Sequence, residues 1–252
     1  MRVLLTIGGL DPTGGAGLLA DARTAWHHDL HAAGVATALT AQGDQGVTWS
    51  EPVDPARVVD QLSGVLFGSP VAAVKVGMLG TTALVQPLVA TLRRSTQMPL
   101  VLDPVLAASS GESLLAGPLE DLAPLMRLAN VVTPNRPELS ALTGRDLAGM
   151  ADVHAAARDL RDAGARAVLV KGGHADGPPV DVLFDGIRFY DFAGSRVPVD
   201  RVRGTGCALA TALACRLGLG TPLPEAVSAA KAYVTRRLEQ TYDLGGRHRY
   251  LP

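Results

Sequence analysis

Hydrophobic positions fall along the chain in short, nearly continuous runs: "RVLLTIG" (2–8), "GVATALTA" (34–41), "VAAVKVG" (71–77), "PLVLDPV" (99–105), "NVVTPN" (130–135) and "RAVLVKGG" (166–173). Helix-length segments separate most of them, at 15–30, 55–67, 81–94, 114–128 and 151–163. A strand that is apolar almost throughout must be covered on both faces, so this alternation predicts a parallel sheet between helical layers and an α/β class. The rhythm breaks at "VDVLFDGIRFYDF", two alternating strands joined by Asp185-Gly186, which predicts an antiparallel hairpin at the sheet edge. Two longer helices are expected at 205–219 and 223–240, with Pro222 and Pro224 opening the second. No repeat or charge run divides the chain, so residues 1–252 are expected to form a single domain, and the tail "GGRHRYLP" is read as disordered.

Composition narrows the partners. Lys plus Arg number 23 against 24 for Asp plus Glu, a balance that points to neither nucleic acid nor a membrane surface. There is no 18-residue apolar run, and "MRVLLTIGG" is too short an apolar stretch for a signal peptide, so a cytoplasmic location is expected. The two cysteines, Cys207 and Cys215, would stand about 12 Å apart on one helix, beyond disulfide reach. Without a spaced Cys/His set, structural zinc is not expected.

In open parallel sheets, ligands bind beyond the carboxyl ends of the strands. Asp11, Gln42, Gly77, Met78, Asp103, Asn135, Glu138 and Lys171 all follow or close a predicted strand and so converge on one rim. "VRGTGCAL" (202–209) puts glycines before a helix, whose first turn offers unpaired N–H groups and a partial positive charge. Such a turn suits an anion, and a thiol held there is expected to ionise more readily than a free one. Cys207 then reads as a phosphate neighbour, a nucleophile or a proton acceptor, or simply as a small apolar side chain at a helix start.

Each other feature has a bland reading beside the chemical one. In "GGLDPTGGAGLLAD", Gly15, Gly17 and Ala20 fit G-x-G-x-x-A, and Asp44 stands where a ribose-binding acid would, yet Gly8 to Thr13 intervene between strand and helix. Asp103 and Glu138 suit Mg²⁺, which takes one or two carboxylates plus water and substrate phosphates, whereas Glu138 in a first helical turn also answers the macrodipole. Lys171 places a cation where sheet meets crevice, or snorkels from a strand end. His27, His28 and His31 lack a third ligand and are given no site, and His174 is left unassigned. Neither G-x-S-x-G nor Walker A occurs, so the set reads as phosphoryl transfer outside the P-loop class.

The segments "GLDPTGGAG", "ALTAQ", "KVGMLG", "VLDPV", "TPNRPE", "VLVKGGH" and "RGTGCA", in that order, resemble the hydroxymethylpyrimidine/phosphomethylpyrimidine kinases of thiamine biosynthesis, within the ribokinase-like superfamily. The resemblance covers nearly the whole chain. It implies a three-layer fold with a mostly parallel sheet, helices on both faces and an antiparallel edge hairpin. It also implies ATP-dependent, Mg²⁺-assisted phosphorylation of 4-amino-5-hydroxymethyl-2-methylpyrimidine and then of its monophosphate, in a homo-oligomer, a dimer by that resemblance. By matching positions, Gly204, Thr205, Gly206 and Cys207 would form the anion hole, with Cys207 in the place of the catalytic base. Gln42 would bond the pyrimidine edge, and Gly9, Asp11, Met78 and Val105 would line the substrate pocket. Asp103 and Glu138 would serve the Mg²⁺ and phosphate region, while Asn135 and Lys171 would face ATP; Arg203, standing where the family has His, could contact ATP or a substrate phosphate bidentately.

The chain departs from the family pattern in places. Arg203 and Ala208 replace the His and Thr usual around the anion hole, and Gly43-Asp44 follows Gln42 where Asn is usual. Three alternatives stay open: a pyridoxal-type kinase, a non-catalytic ligand-binding relative, for which Arg203 and Ala208 leave room, and a dinucleotide enzyme on the G-x-G-x-x-A pattern.

Overall fold

The computed structural model describes residues 1–94, 98–108, 110–173 and 178–252. Among these the strands are β1 (Val3–Leu10), β2 (His31–Gly43), β3 (Gly46–Pro52), β4 (Val71–Val76), β5 (Gly80–Thr81), β6 (Leu100–Leu102), β7 (Leu115–Ala116), β8 (Val131–Val132), β9 (Val168–Val170), β10 (Val180–Phe184), β11 (Phe189–Ala193), β12 (Tyr242–Asp243) and β13 (Arg249–Tyr250). The helices are α1 (Gly17–Trp26), α2 (Pro55–Leu66), α3 (Val85–Arg93), α4 (Ala123–Leu128), α5 (Arg136–Thr143), α6 (Met150–Asp162), α7 (Thr205–Gly218) and α8 (Leu223–Leu238).

One sheet runs in the order β11-β10-β9-β8-β6-β4-β1-β2-β3. Its six middle strands are parallel, and the predicted hairpin β10–β11 adds antiparallel strands at one edge. Alternate residues of the inner strands enter different cores. Leu5, Ile7, Val74, Val76, Leu100 and Leu102 pack beneath α2 to α6, while Leu4, Ala73, Val101 and Leu169 pack beneath α1, α7 and α8. Both faces are therefore dry, which is why these strands read as continuous apolar runs. The small residues of α7, including Ala208, Ala210, Ala212 and Ala214, are all buried and let that helix lie close to the sheet.

The structure corrects four expectations. The second strand does not stop at Ala41: it continues to Gly43 and turns back into β3, forming a second antiparallel edge that the polar residues of 46–52 conceal. Segment 114–128 is not one helix, because Gly117 at φ +106 and Pro118 break it into β7, a 3-10 turn at Leu119–Leu122 and α4. The first helix is shorter than 15–30, since the glycine loop runs on to Ala16 and the chain leaves α1 after Trp26. The tail is ordered: β12 pairs with β13, and Tyr250 and Leu251 are buried.

Among the described residues, no helix is long and apolar enough to cross a membrane. His27 meets the Tyr233 hydroxyl at 3.0 Å through Nδ1, and His28 is buried beside the same ring. His174 lies outside the described residues.

Candidate active site

The loops at the carboxyl ends of the parallel strands enclose a cavity of about 860 Å³. Of the residues singled out from the sequence, Gly9, Asp11, Gln42, Met78, Asp103, Val105, Asn135, Glu138, Lys171 and Gly204 to Cys207 all border it. Arg203 does not.

The start of α7 forms one wall. Gly204 has φ +74, and a Cβ there would lie 2.1 Å from the Gly15 carbonyl oxygen, so only glycine fits. Gly17, at φ +57, is held against the Gly9 carbonyl in the same way. The two loops therefore meet backbone to backbone. No side chain caps α7, which leaves its first N–H groups for an anion in the cavity. A Cβ on Gly206 would stand 3.4 Å from Lys171 Nζ, so the turn and that ammonium share the negative charge they attract.

Beneath Cys207 lies a polar group that the sequence reading missed. Lys75 Nζ donates to both oxygens of Asp21, at 2.8 and 3.1 Å, and Thr6 and Thr211 also donate to that carboxylate. Lys75 is 1% exposed and Asp21 is fully buried. Burial works against the lysine charge, but Asp21, with Cys207 and Asp103 beyond it, holds the ammonium firmly protonated. The available signal was a lysine inside the apolar run "VAAVKVG" and an aspartate inside "GLLADA".

The thiol does not follow its expectation. Burial raises the Cys207 pKa, and Asp21 and Asp103 push it further up, outweighing Lys75 and the Gly17 amide that favour thiolate. A helix start lowers a thiol pKa only where desolvation and nearby carboxylates do not cancel it. The Cys207 pKa is thus held above the ordinary thiol value, and added positive charge favours its ionisation.

Beside this turn, Lys171 Nζ stands 2.6 Å from Asp103 Oδ1 and 3.6 Å from Glu138 Oε2. Thr133 donates to the same Asp103 oxygen. Asn135 and Glu138 form a capping box on α5: the Asn135 side chain accepts from the Glu138 amide at 2.8 Å, and Glu138 accepts from the Asn135 amide at 2.7 Å. Both readings of Glu138 are accommodated, since one carboxylate caps a helix and also borders the cavity. Burial and Asp103 raise its pKa, while Lys171 and the Asn135 amide oppose the rise. The Lys171 pKa is raised, because Asp103 and Glu138 outweigh its burial.

At the other end, a Cβ on Gly9 would meet Met78 Sδ at 2.6 Å, and Met78 packs with Val105, Ala38 and Leu114 into an apolar pocket bordered by Gln42. Asp11 organises the glycine loop. Its Oδ1 accepts from the Thr13 amide and hydroxyl at 2.9 and 2.8 Å, and its Oδ2 accepts from the Ala16 amide at 2.9 Å. Asp44 is not placed as a ribose acid would be: its carboxylate turns to the tail, accepting from the Arg247 amide and contacting His248 Nδ1. Instead of facing nucleotide, Arg203 is buried, donates to the Gly43 carbonyl and approaches Asp11.

An uncapped helix start, an acid–lysine pair and a partly apolar pocket at the carboxyl ends of the parallel strands give the chain the architecture of a ribokinase-like small-molecule kinase. The phosphomethylpyrimidine kinase model matches residues 11–251, and the chain belongs to that family. It is 40% identical over 248 residues to a hydroxymethylpyrimidine/phosphomethylpyrimidine kinase of Streptomyces coelicolor, covering 97% of this chain and 91% of that one. It is 41% identical over 248 residues to the thiamine biosynthesis bifunctional protein ThiED of Geobacter sulfurreducens, covering 97% of this chain but spanning about half of that longer protein, 51%. Among solved structures, the phosphomethylpyrimidine kinase of Clostridium difficile superposes with a TM-score of 0.82 at 33% identity, covering 94% of this chain and 99% of that one. An ADP complex of Bacillus subtilis pyridoxal kinase reaches 0.90 at 28% identity, covering 100% and 96%.

Proposed function

We propose that this protein transfers the γ-phosphoryl group of ATP to the hydroxymethyl oxygen of 4-amino-5-hydroxymethyl-2-methylpyrimidine, and then to the phosphate of the monoester so formed. The observation that carries this reading is the position of Cys207 at the uncapped start of α7, in one cavity with the Met78–Val105 pocket and with Lys171.

Phosphoryl transfer asks mainly for positioning and charge stabilisation. Gln42 offers an amide that donates and accepts along the pyrimidine edge, and the apolar pocket takes the ring. Cys207, in its thiolate form, receives the hydroxyl proton as the oxygen attacks phosphorus. The amides of Thr205 and Gly206 and the Lys171 ammonium meet the charge on the transferring group. Lys75 stays charged throughout and makes the thiolate state of Cys207 accessible.

Asp103 and Glu138 are the residues that would hold Mg²⁺. Their fit is one of chemistry: two carboxylates on the Lys171 side of the cavity suit an ion that takes most of its ligands from phosphates and water. Among the described residues there is no cluster of three metal-ligating side chains. Bound there, the ion supplies charge neutralisation at the phosphates.

Pyridoxal phosphorylation is the second reading, favoured by the 0.90 superposition on a pyridoxal kinase. Purified protein offered ATP with the hydroxymethylpyrimidine, its monophosphate or pyridoxal separates the two. Turnover of pyridoxal alone would overturn the main reading. A homodimer is also part of the proposal, supported by the exposed side chains of Leu39 and Trp49 along the β2–β3 edge, and sedimentation tests it.

A further inference from the structure

Arg203 is a charged residue only 7% exposed, and it stands outside the cavity it was expected to serve. Its Nη2 donates to the Gly43 carbonyl, one residue past Gln42. Its Nη1 is buried without a hydrogen-bond partner and lies 4.0 Å from Asp11 Oδ2, the oxygen that holds the Ala16 amide. The next residue is Gly204, where the anion turn begins. One guanidinium therefore touches the Gln42 hairpin and the glycine loop while its own backbone opens the phosphate end.

The C-terminal strand covers this junction. Arg203 N–H donates to the Arg249 carbonyl and Arg249 N–H to that of Arg201, both at 3.1 Å. A Cβ on Gly15 would meet Arg203 Cδ at 3.0 Å and Tyr250 Cε1 at 3.1 Å, so the loop is wedged between the two side chains. Asp44, beside Gly43, accepts from the Arg247 amide at 2.6 Å and meets His248 Nδ1 at 3.1 Å. Of the positions named above as departures from the family pattern, Arg203, Gly43 and Asp44, though not Ala208, are thus in contact with one another or with the same tail. A planar guanidinium holds its two terminal nitrogens at a fixed spacing, so one faces Gly43 while the other faces Asp11, a geometry that a single ammonium nitrogen does not reproduce.

We propose that Arg203 is a positioning residue for the acceptor: it fixes the Gln42 hairpin and the Asp11 loop against the anion turn, with β13 and Asp44 holding the assembly closed. The inference rests on the assignment of the Gln42 end to the acceptor. It predicts that loss of Arg203 weakens acceptor binding and leaves nucleotide binding in place.

Steady-state kinetics with acceptor and ATP varied separately test it, using Arg203→Met, Arg203→Lys and Asp44→Ala. Arg203→Met is expected to raise the acceptor KM about tenfold, with ATP KM and kcat within about twofold of wild type. Arg203→Lys recovers part of that loss, since it can keep the Gly43 bond. Asp44→Ala moves the acceptor KM in the same direction. Equal rises in both KM values, or an unchanged acceptor KM in folded variants, would overturn the proposal. If Arg203→Met does not fold, the other two variants decide by the same criterion. A wrong substrate shows in the wild-type profile, and the split is then read with the acceptor actually turned over.

Discussion

Lys75 and Asp21 form an ion pair of 2.8 Å whose side chains are 1% and 0% exposed, and both charges act on the thiol at the start of α7. Removing one partner leaves a buried charge uncompensated. Asp21→Asn is therefore expected to cost about 3–5 kcal/mol of stability, read from urea unfolding. Because the Lys75 pKa is raised, the contribution of the pair is complete below the ordinary lysine value of 10.5 and is lost only as pH climbs through the folded value. A stability of Asp21→Asn equal to wild type would show that the pair is not the buried contact described.

The proposed proton-accepting role of Cys207 predicts different effects on the two phosphorylations. An alcohol must lose a proton, whereas a phosphate monoester, with a second pKa of about 6, is already ionised at neutral pH. Cys207→Ala is expected to slow the first transfer by about 10²–10⁴-fold and the second far less. Equal losses in both would mean that the thiol is not a proton acceptor.

The raised thiol pKa also has a pH signature. With thiolate scarce at neutrality, kcat/KM for the alcohol should climb with pH toward and beyond the ordinary thiol value of 9.0. A profile already flat above pH 7 would place the thiol in its ionised form and contradict the electrostatics described.

Glu138→Gln isolates the charge of that residue from its cap. The amide oxygen can still accept from the Asn135 N–H, so unfolding stability should change by less than about 1 kcal/mol. The Mg²⁺ concentration giving half-maximal rate should rise several-fold. An unchanged Mg²⁺ requirement would reduce Glu138 to a capping residue.

His28 is buried beside Tyr233, and burial, with Arg216 next, lowers its pKa to about 4. Above pH 6.5 the ring is neutral folded or unfolded and stability is unaffected. Between 6.5 and 4 the unfolded chain binds the extra proton, so stability should fall as pH drops through that window. His28→Gln should remove most of that slope, and the same slope in the variant would assign it elsewhere.

The inner strands were readable because both of their faces are dry: Leu4 and Leu5 enter different cores, yet both must be apolar. The rim residues were readable by a topological rule, since a polar side chain at the end of such a strand has only the crevice to face. The strand β3 was not, because an edge strand with a solvated face carries polar residues that resemble a loop. Lys75 and Asp21, 54 positions apart, give no local sign of pairing.

By itself the sequence determined the α/β class, the run of motifs that marks the family, and the residues from Asp103 to Cys207 that border one cavity. Only the tertiary structure decided that burial raises the thiol pKa, that Arg203 turns to Gly43 outside the cavity lining, and that the tail closes over it. Propensity and pattern are properties of neighbouring residues. Burial, desolvation and ion pairing depend on which distant segments share a low-dielectric space, and that is settled by packing.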